Sequence, residues 1–305
     1  MKEPIRITDP NAPELQYYRE PNENRLRRAF EPAEGLFVCE TVRVIGRATE
    51  AGYEPVSFLV NEDVWAAVRA EKAHADTSGA VDTDEESVIS LVTDAAPDTP
   101  LYVCPEPVMR GVSGSKLPGG VLCLMRRRPL PPVADLCRGA KRVVWLEDVE
   151  NPTNVGAIFR SAAAIGMDAV VLTKACADPL YRRAARVSMG NVFQVPWTFT
   201  ALTGPAERSD PRGRGTLAAL KEQGFVIVAL ALTEGALPVD APELKTLAER
   251  ASGLVIVLGN EAEGISAETL AVCDRTAVIP MMNGVDSLNV AAASAVAFWE
   301  LRSRS

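Results

Sequence analysis

The chain of 305 residues contains a single histidine, His74. This lack excludes Ser-His-Asp and Cys-His catalysis unless His74 itself is the base. It also argues against a zinc site, because imidazole is one of the principal zinc ligands. We therefore expect chemistry that works without imidazole and without a metal.

Long apolar runs are lacking as well, and no run reaches the length that spans a membrane. The first residues, MKEPIRITDPNAPE, are polar and proline-rich and do not have the pattern of a signal peptide. The composition, with 47% hydrophobic and 24% charged residues, is typical of a soluble globular chain with one large or two ordinary domains. We therefore expect a cytoplasmic protein.

The sequence has no C-x-x-C pair, the spacing typical of zinc sites and redox motifs. Most of its cysteines lie in apolar runs, where cysteine behaves as a small hydrophobic residue. We expect buried free thiols at Cys39, Cys104, Cys123, Cys137, Cys176 and Cys273.

The net charge of −8 does not at first favour a nucleic-acid partner. Between Glu62 and Asp98, however, ten acidic residues stand against two basic ones, so the segment 62–98 accounts for the whole net charge. The rest of the chain is balanced, and its arginines are clustered. The clusters are Arg25, Arg27 and Arg28; Arg126, Arg127 and Arg128; Arg182, Arg183 and Arg186; and Arg208, Arg212 and Arg214. They favour a phosphate-rich partner weakly, and ordinary solvated surface explains them equally well.

Proline marks the predicted domain boundary. Three prolines within four residues predict a stiff, extended linker at 129–140. Before it, residues 1–35 form a charged extension, and residues 36–128 alternate strands and helices in a small α/β domain. After it, residues 141–305 alternate more regularly, which predicts a parallel sheet with helices on both faces.

The predicted elements follow from apolar spacing, caps and turn residues. Strands are predicted at 36–39, 56–60, 101–104, 121–125, 143–146, 169–172, 192–200, 225–231, 254–258 and 276–280. Helices are predicted at 24–30, 41–52, 62–75, 86–93, 105–112, 154–165, 180–188, 217–223, 242–251, 267–273 and 289–302. Mobile loops are predicted at 76–86 and 204–215.

Ligands bind open α/β sheets at the carboxyl ends of the strands, so the loops after the strands are candidate sites. The first is 148–160, DVENPTNVGAIFR. Asn154 can cap the helix that follows it. Arg160 stands in an otherwise apolar stretch and needs an anionic partner or an exit to solvent. An ion pair with Glu147 or Asp148 explains this arginine as well as a substrate anion does.

The second loop, GNEAEGIS at 259–266, follows a strand so aliphatic that we expect it to be buried on both faces. Two glycines and two carboxylates make this loop a candidate site. It lacks the middle glycine of a G-x-G-x-x-G dinucleotide motif and the Gly-Lys-Ser/Thr end of a P-loop. A glycine-rich loop alone is a weak signal, and Glu261 could simply pair with an arginine.

The third loop joins strand 276–280 to helix 289–302. Ser287 and Asn289 stand near the helix start, where one N-cap residue is ordinary. A second polar residue, with only Leu288 between them, is more than capping needs. The unpaired N–H groups of the helix N-terminus would also suit an anion.

Together the three loops resemble the SpoU (TrmH-like) branch of the SPOUT RNA methyltransferases. The N-x-x-x-x-x-R motif of the family is matched by Asn154 and Arg160. The G-N-E-x-x-G motif is matched by Gly259, Asn260, Glu261 and Gly264. The I-P-M…S-L-N motif is matched by Ile279, Pro280, Met281, Ser287, Leu288 and Asn289. Three motifs in the right order are far more specific than any one of them.

The resemblance implies a deep trefoil knot, made by the second and third loops, that holds S-adenosylmethionine largely through backbone groups. The cofactor contacts that it implies are Gly259, Asn260, Ile279 and Leu288, with Ala231 in a further wall. It also implies a homodimer whose active site is completed across the interface. The implied reaction is methyl transfer to a ribose 2′-hydroxyl of RNA, and the two-domain layout favours ribosomal RNA over transfer RNA.

The same resemblance gives the role of proton acceptor to Arg160, helped by an RNA phosphate. Because a guanidinium is normally protonated, binding the phosphate beside the target ribose is the alternative role. Asn154, Glu261, Ser287 and Asn289 would position Arg160 and the ribose. Residues 36–128 resemble the ribosomal-protein-like, RNA-binding extension of the family.

Two other functions remain open at this point. One is a non-catalytic RNA-binding or ribosome-assembly factor that retains the methyltransferase fold. The other is an unrelated nucleotide-binding α/β enzyme, which the missing phosphate-binding motifs disfavour.

Overall fold

The computed structural model describes residues 3–19, 35–75, 99–114, 116–200 and 210–303. The predicted helices 24–30 and 86–93, the predicted loop 76–86 and the first half of the predicted loop 204–215 lie outside these ranges. The chain divides into two compact units. The first comprises Met1–Pro129 and Leu180–Gly190, and the second comprises Leu130–Pro179 and Asn191–Ser305.

The first unit is built on a mixed five-stranded sheet. Its strands are β1 (Ile5–Arg6), β2 (Leu36–Glu40), β3 (Pro55–Asn61), β4 (Leu101–Cys104) and β5 (Val121–Arg126). Its helices before residue 129 are α1 (Val42–Glu50), α2 (Glu62–Ala75) and α3 (Glu106–Ser113). The strand order is β1-β4-β3-β5-β2, and β5 runs antiparallel to both of its neighbours. The side chain of Asn61 caps α2, accepting a hydrogen bond from the Asp63 N–H at 2.8 Å.

Part of the predicted N-terminal extension belongs to this unit. Strand β1 pairs in parallel with β4, and Leu15 and Tyr18 are fully buried in the core. The Tyr18 hydroxyl shares a 2.7 Å hydrogen bond with Ser57 on β3. Residues 3–19 are therefore an integral part of the α/β unit rather than a separate extension.

The second unit is built on a parallel sheet with seven strands in the described residues. They are β6 (Arg142–Leu146), β7 (Ala169–Leu172), β8 (Trp197–Phe199), β9 (Phe225–Leu230), β10 (Leu237–Pro238), β11 (Gly253–Leu258) and β12 (Arg275–Val278). The strand order is β10-β12-β9-β11-β6-β7-β8. The helices are α4 (Val133–Leu136), α5 (Pro152–Ile165), α7 (Arg214–Glu222), α8 (Pro242–Arg250), α9 (Ala267–Leu270) and α10 (Val290–Leu301). The predicted parallel sheet is confirmed.

Strand β11 lies at the centre of this sheet, hydrogen-bonded to β6 on one side and β9 on the other. All six of its residues are buried, as predicted from its aliphatic sequence. The loop 259–266 therefore emerges from the middle of the carboxyl edge of the sheet, where a ligand site is expected.

The predicted linker is only partly extended. Pro132 precedes α4, and Val133 and Cys137 are buried in the core of the second unit beside Trp145. The Thr198 hydroxyl donates to the Pro131 carbonyl at 2.7 Å and holds this segment to β8. The prediction of an extended linker through residue 140 is wrong because these apolar side chains have a core to enter.

The segment 180–190 was expected to continue the second domain, but it belongs to the first unit. It contains α6 (Arg182–Val187). Arg186 Nη1 donates to Glu40 Oε1 at 2.9 Å, and Arg47 Nη1 donates to the Met189 carbonyl at 2.8 Å. These contacts join residues far apart in sequence, which local patterns cannot predict.

Two further differences concern short elements. The predicted strand 192–200 consists of a 3-10 turn at Asn191–Phe193 followed by β8, with Pro196 just before the strand. The two-residue strand β10 was not predicted. Within the described ranges, no helix is long and apolar enough to cross a membrane.

Candidate active site

A cavity of about 540 Å³ opens at the carboxyl edge of the parallel sheet, between the loops that follow β9, β11 and β12. All five predicted cofactor residues line it: Ala231, Gly259, Asn260, Ile279 and Leu288. Three of the predicted catalytic residues also line it: Glu261, Ser287 and Asn289. The other two predicted catalytic residues, Asn154 and Arg160, are not among the lining residues.

Gly259 is required by the shape of the second loop. A Cβ atom at this position would lie 2.4 Å from the carbonyl carbon and oxygen of Gly264 and 2.6 Å from Ile265 Cγ1. Two backbone hydrogen bonds, Asn260 N to Gly264 O at 3.0 Å and Gly264 N to Asn260 O at 2.9 Å, close the loop on itself. Gly264 has a φ of +71°, which favours glycine. The two glycines of the motif thus follow from the tight return of the chain.

Asn260 is a structural residue of this loop. Its Nδ2 donates to the Asp148 carbonyl at 2.8 Å, and its Oδ1 accepts from the N–H groups of Ala262 and Glu263. Asn260 therefore ties the second loop to the first while it lines the cavity.

Asn154 does not cap the helix, contrary to the prediction. Helix α5 begins two residues earlier, at Pro152, and its N-cap is Asn151, whose Oδ1 accepts from the Thr153 N–H at 2.8 Å. Asn154 is buried in the first turn, and its amide is free for other partners. Its Nδ2 donates to Glu261 Oε1, and its Oδ1 accepts from Asn289 Nδ2 at 3.2 Å. One amide thereby connects all three motif loops.

The side chain of Asn289 makes two hydrogen bonds, one within its own helix and one to another loop. Its Oδ1 caps α10 by accepting from the Ala291 N–H at 2.9 Å, while its Nδ2 donates to Asn154. Glu261 was considered as an ion-pair partner of an arginine. Its hydrogen-bond partner in the described part of the chain is Asn154 instead. The site therefore contains the hydrogen-bonded chain Glu261–Asn154–Asn289.

Arg160 is exposed on α5 and has neither a hydrogen-bond nor an ion-pair partner among the described residues. The alternative that it pairs with Glu147 or Asp148 is wrong. Those carboxylates face Arg212, whose Nε lies 2.9 Å from Asp148 Oδ2 and 3.7 Å from Glu147 Oε1. The guanidinium of Arg160 is thus exposed to solvent.

Most of the apolar residues that line the cavity were not among the predicted site residues. Leu230, Leu232, Leu258, Ala277, Val290 and Ala293 belong to it. Leu232 is 75% exposed and Leu288 is 41% exposed, which is unusual for leucines and leaves apolar surface at the cavity. The signal for these residues is position alone, since they flank the predicted contacts at strand ends and on the first turns of α10.

The charged residues in the cavity wall are all acidic: Glu261, Glu263 and Asp286. No lysine or arginine is among the described lining residues. The wall therefore combines apolar surface with carboxylates, which suits an apolar ligand that carries positive charge. Across the described ranges, no group of three or more His, Cys, Asp and Glu side chains could hold a metal ion.

A parallel α/β sheet with this cavity, and with the three motifs in hydrogen-bonded contact at its carboxyl edge, defines an RNA methyltransferase of the SPOUT class. The chain belongs to the SpoU rRNA methylase family, whose family model matches residues 141–299.

Known relatives agree with this assignment. An uncharacterised tRNA/rRNA methyltransferase of Mycobacterium bovis is 34% identical over 299 residues, covering 98% of this chain and 91% of the relative. A 23S rRNA (guanosine-2′-O-)-methyltransferase of Acinetobacter baylyi is 31% identical over 187 residues, covering 59% of this chain and 69% of the relative. The crystal structure of an AdoMet-bound rRNA methyltransferase from Sinorhizobium meliloti has the same fold. It superposes with a TM-score of 0.73 at 21% identity, covering 98% of this chain and 97% of that one.

Proposed function

We propose that this protein transfers a methyl group from S-adenosylmethionine to a ribose 2′-hydroxyl of RNA, with ribosomal RNA favoured over transfer RNA. The observation that carries the proposal is the hydrogen-bonded chain Glu261–Asn154–Asn289 at the cavity wall. The 2′-O-methyltransferase named among the relatives supports the ribose as the target, and its 23S rRNA substrate supports ribosomal RNA.

The cavity fits the cofactor. Its volume lies within the range of about 300–1,000 Å³ that is usual for small-molecule sites. Leu230, Leu258 and Ala277 offer apolar surface, and Glu261, Glu263 and Asp286 offer negative charge for a sulfonium or ammonium group. When bound, S-adenosylmethionine supplies a methyl group that is already activated for transfer. We assign its contacts to Gly259, Asn260, Ile279, Leu288 and Ala231.

The protein residues then have to align the ribose and handle its proton. Asn154 fixes the carboxylate of Glu261, and Asn289 fixes Asn154, so these groups are already oriented before substrate arrives. Ser287 is exposed in the cavity wall and can donate or accept a hydrogen bond. Arg160 binds the RNA phosphate beside the ribose, or accepts the 2′-hydroxyl proton with the help of that phosphate.

A homodimer would give Arg160, which does not line the cavity of its own chain, an active site to act in. Helix α10 packs on α5, which carries Arg160. On its outer side, α10 exposes an apolar stripe of Ala292, Val296 and Trp299 at helical spacing. A second copy that covers this stripe would bury it and bring its own Arg160 to the site. We therefore propose that Arg160 acts in the active site of the partner subunit.

A deep trefoil knot is part of the same proposal. Strand β12 lies on the far side of β9 from β11, so the chain that leaves β11 has to cross β9 to reach its place. It then returns through the third loop to α10, which packs on α5. This crossing and return provide the path that a knot of the second and third loops needs.

The first test of the proposal is the substitution Arg160→Ala. We expect methylation of RNA to fall by on the order of a hundredfold, because the phosphate contact or proton acceptor is lost. Folding and S-adenosylmethionine binding should not change, because Arg160 is exposed and does not line the cavity. The measurements are 2′-O-methyl mapping of RNA, calorimetry with the cofactor, and thermal unfolding.

The matched control is Arg138→Ala, which removes another exposed arginine of the second unit, paired with Asp135. Full activity of Arg160→Ala would overturn the assigned role.

Mixing inactive Arg160→Ala with inactive Glu261→Ala should restore activity if the site is shared between subunits. An absence of S-adenosylmethionine binding to the unaltered protein would instead favour the non-catalytic RNA-binding factor.

A further inference from the structure

Both ends of the second loop, 259–266, are held by two adjacent residues that follow β6. Near the start of this loop, Asn260 Nδ2 donates to the Asp148 carbonyl at 2.8 Å. At its end, the Ser266 N–H donates to Glu147 Oε1 at 2.7 Å, and Ser266 is also the N-cap of α9. The position of the second loop at the cavity therefore depends on where Glu147 and Asp148 lie.

Asp148 has a backbone conformation that its surroundings have to maintain. Its φ is +55°, in the left-handed region that is uncommon for residues other than glycine. Its N–H donates to Thr173 Oγ1 at 2.9 Å, and the Thr173 hydroxyl donates back to Asp148 Oδ1 at 2.7 Å. The other carboxylate oxygen, Oδ2, accepts from Arg212 Nε at 2.9 Å. Together these bonds fix the direction of the carbonyl that Asn260 binds.

Glu147 is a buried carboxylate that depends on the same arginine. Its side chain is 2% exposed, and its Oε2 has no hydrogen-bond partner among the described residues. Arg212 Nε lies 3.7 Å from Glu147 Oε1, and in the described part of the chain Arg212 is the cation within 4 Å of either carboxylate. Two adjacent carboxylates repel each other, and a buried charge that loses its partner is costly. Arg212 therefore holds both carboxylates in place.

We infer that Arg212 is a positioning residue for the second loop, which it holds at the S-adenosylmethionine cavity through Asp148 and Glu147. The inference rests on the proposed function for the contacts of the cofactor, and it adds a residue that is not among the described lining residues. Arg212 lies just before α7, 64 positions from Asp148 in the sequence. The sequence showed it only as one member of an arginine cluster, whereas the geometry gives it an intramolecular role.

A direct contact with RNA is the alternative role for Arg212. Its side chain is 36% exposed, and its Nη1 and Nη2 have no hydrogen-bond partner among the described residues. Its Nε is bound to Asp148, however, and this bond orients the planar guanidinium. The two carboxylates beside it offset its charge and weaken its attraction for a phosphate. These contacts favour the positioning role, and a measurement of RNA affinity separates the two roles.

The test is Arg212→Gln in the full chain, with S-adenosylmethionine affinity measured by calorimetry in the absence of RNA. We expect the dissociation constant to rise by on the order of tenfold, because a hydrogen bond between charged groups that holds the loop is lost. The KM for S-adenosylmethionine should rise by the same factor, and the affinity for RNA should be unchanged. Arg212→Lys keeps a positive charge beside both carboxylates and should recover part of the cofactor affinity.

The matched control is Arg214→Gln, the same substitution two residues away. Arg214 is 42% exposed, and its Nε pairs with Asp210 Oδ1 at 3.3 Å, so its ion pair stays within its own segment. The cofactor affinity of Arg214→Gln should equal that of the unaltered protein. Equal losses in Arg212→Gln and Arg214→Gln, or normal cofactor affinity in Arg212→Gln, would overturn the inference. Weaker RNA binding with normal cofactor affinity would assign Arg212 to RNA and also overturn it.

Asp148→Asn changes the same contact from the other side, and it serves if Arg212→Gln does not fold. Asparagine tolerates a positive φ, so the carbonyl can still accept from Asn260, whereas the ion pair with Arg212 is lost. Asp148→Asn alone should weaken cofactor binding and leave RNA affinity unchanged. In the double variant with Arg212→Gln, the total loss should be smaller than the product of the two single losses, because both remove one contact. Normal cofactor affinity of Asp148→Asn, or multiplicative losses, would refute the positioning role.

Failure of this inference can be told apart from failure of the proposed function, because cofactor binding is measured without RNA. If the unaltered protein methylates ribose and Arg212→Gln binds the cofactor normally, the positioning role is wrong and the function stands. If Arg212→Gln weakens cofactor binding as expected but the unaltered protein methylates no 2′-hydroxyl, the positioning role stands and the proposed reaction fails.

Discussion

Asn151 and Asn154 lie close together at the start of α5 but have different roles: one caps the helix, and the other links the motif loops. Asn151 and Asn154 both have the residue type of an N-cap, and both stand near the start of α5. Asn151 takes the cap, so it satisfies a backbone N–H that the helix leaves unpaired. Asn154 is left with an unused amide, which reaches Glu261 and Asn289 in the other two loops. Asn154 therefore contributes hydrogen bonds between the loops rather than a cap at the end of the helix.

Substituting Asn154 should therefore lower activity, whereas substituting Asn151 should lower stability. Asn154→Ala removes the link and leaves Glu261 without its partner, and we expect methyl transfer to fall by on the order of a hundredfold. Asn151→Ala should lower the free energy of unfolding by about 1 kcal/mol and leave activity near normal, because only the cap is lost. Methylation rates and denaturant unfolding measure the two effects. Equal losses of activity in both variants would contradict this separation.

At the scale of elements, α10 is apolar on both of its sides. Ser294, Ala297, Phe298 and Leu301 are buried. On the opposite side, Val296 is 38% and Trp299 is 56% exposed, and Arg302 stacks on the Trp299 ring at 3.6 Å. A helix that is hydrophobic on all sides is normally enclosed. This is the physical ground for expecting a second copy of the chain on this face.

The substitution Val296→Glu tests the dimer. A carboxylate in the centre of the stripe would have to be desolvated at the interface, so we expect the protein to become monomeric and to lose most of its methylation. The control is Ile5→Glu, which places the same charge on an exposed apolar residue of the first unit. Sedimentation analysis gives the mass of each variant. A monomeric unaltered protein, or a dimeric and active Val296→Glu, would refute the proposed interface.

At the scale of the whole molecule, the cysteines behave as core residues, as predicted. Five of the six are buried, and Cys273 is half-buried. Burial raises the pKa of the thiols from the ordinary value of 9.0, to about 11 for Cys137 and to about 12 for Cys104 and Cys176. A thiol that stays protonated is a poor nucleophile. The cysteines therefore fit a structural role in both units.

This burial predicts slow thiol chemistry and a loss of stability in alkali. At pH 8 the native protein should react with a disulfide reagent far more slowly than the denatured protein. Above pH 9 the unfolded thiols lose protons that the folded ones keep, so the free energy of unfolding should fall as the pH rises towards 12. Thiol titration and denaturant unfolding at pH 8 and pH 10 measure both effects. Rapid labelling of the native protein at pH 8 would show that the thiols are accessible.

Much of the site could be predicted because its requirements are local. Gly259 and Gly264 are demanded by a tight backbone return, and Ser266 caps α9 by accepting from the Thr269 N–H. The aliphatic run of β11 requires burial wherever the strand is placed. Needs of this kind leave residue types at fixed spacing, so the three motifs and the polar residues that they contribute to the cavity could be predicted from the sequence.

The tertiary structure decided what depends on contacts between distant residues. It selected Asn151 over Asn154 as the cap, drew Val133 into the core and placed the arginines of α6 beside those of α1. Each of these outcomes depends on which surfaces are available once the sheets have formed, and residue type alone is compatible with several. The sequence by itself determined the parallel sheet, the family and the motif residues of the cavity. Only the fold decided which of their side chains touch, because hydrogen bonds and burial act between neighbours in space.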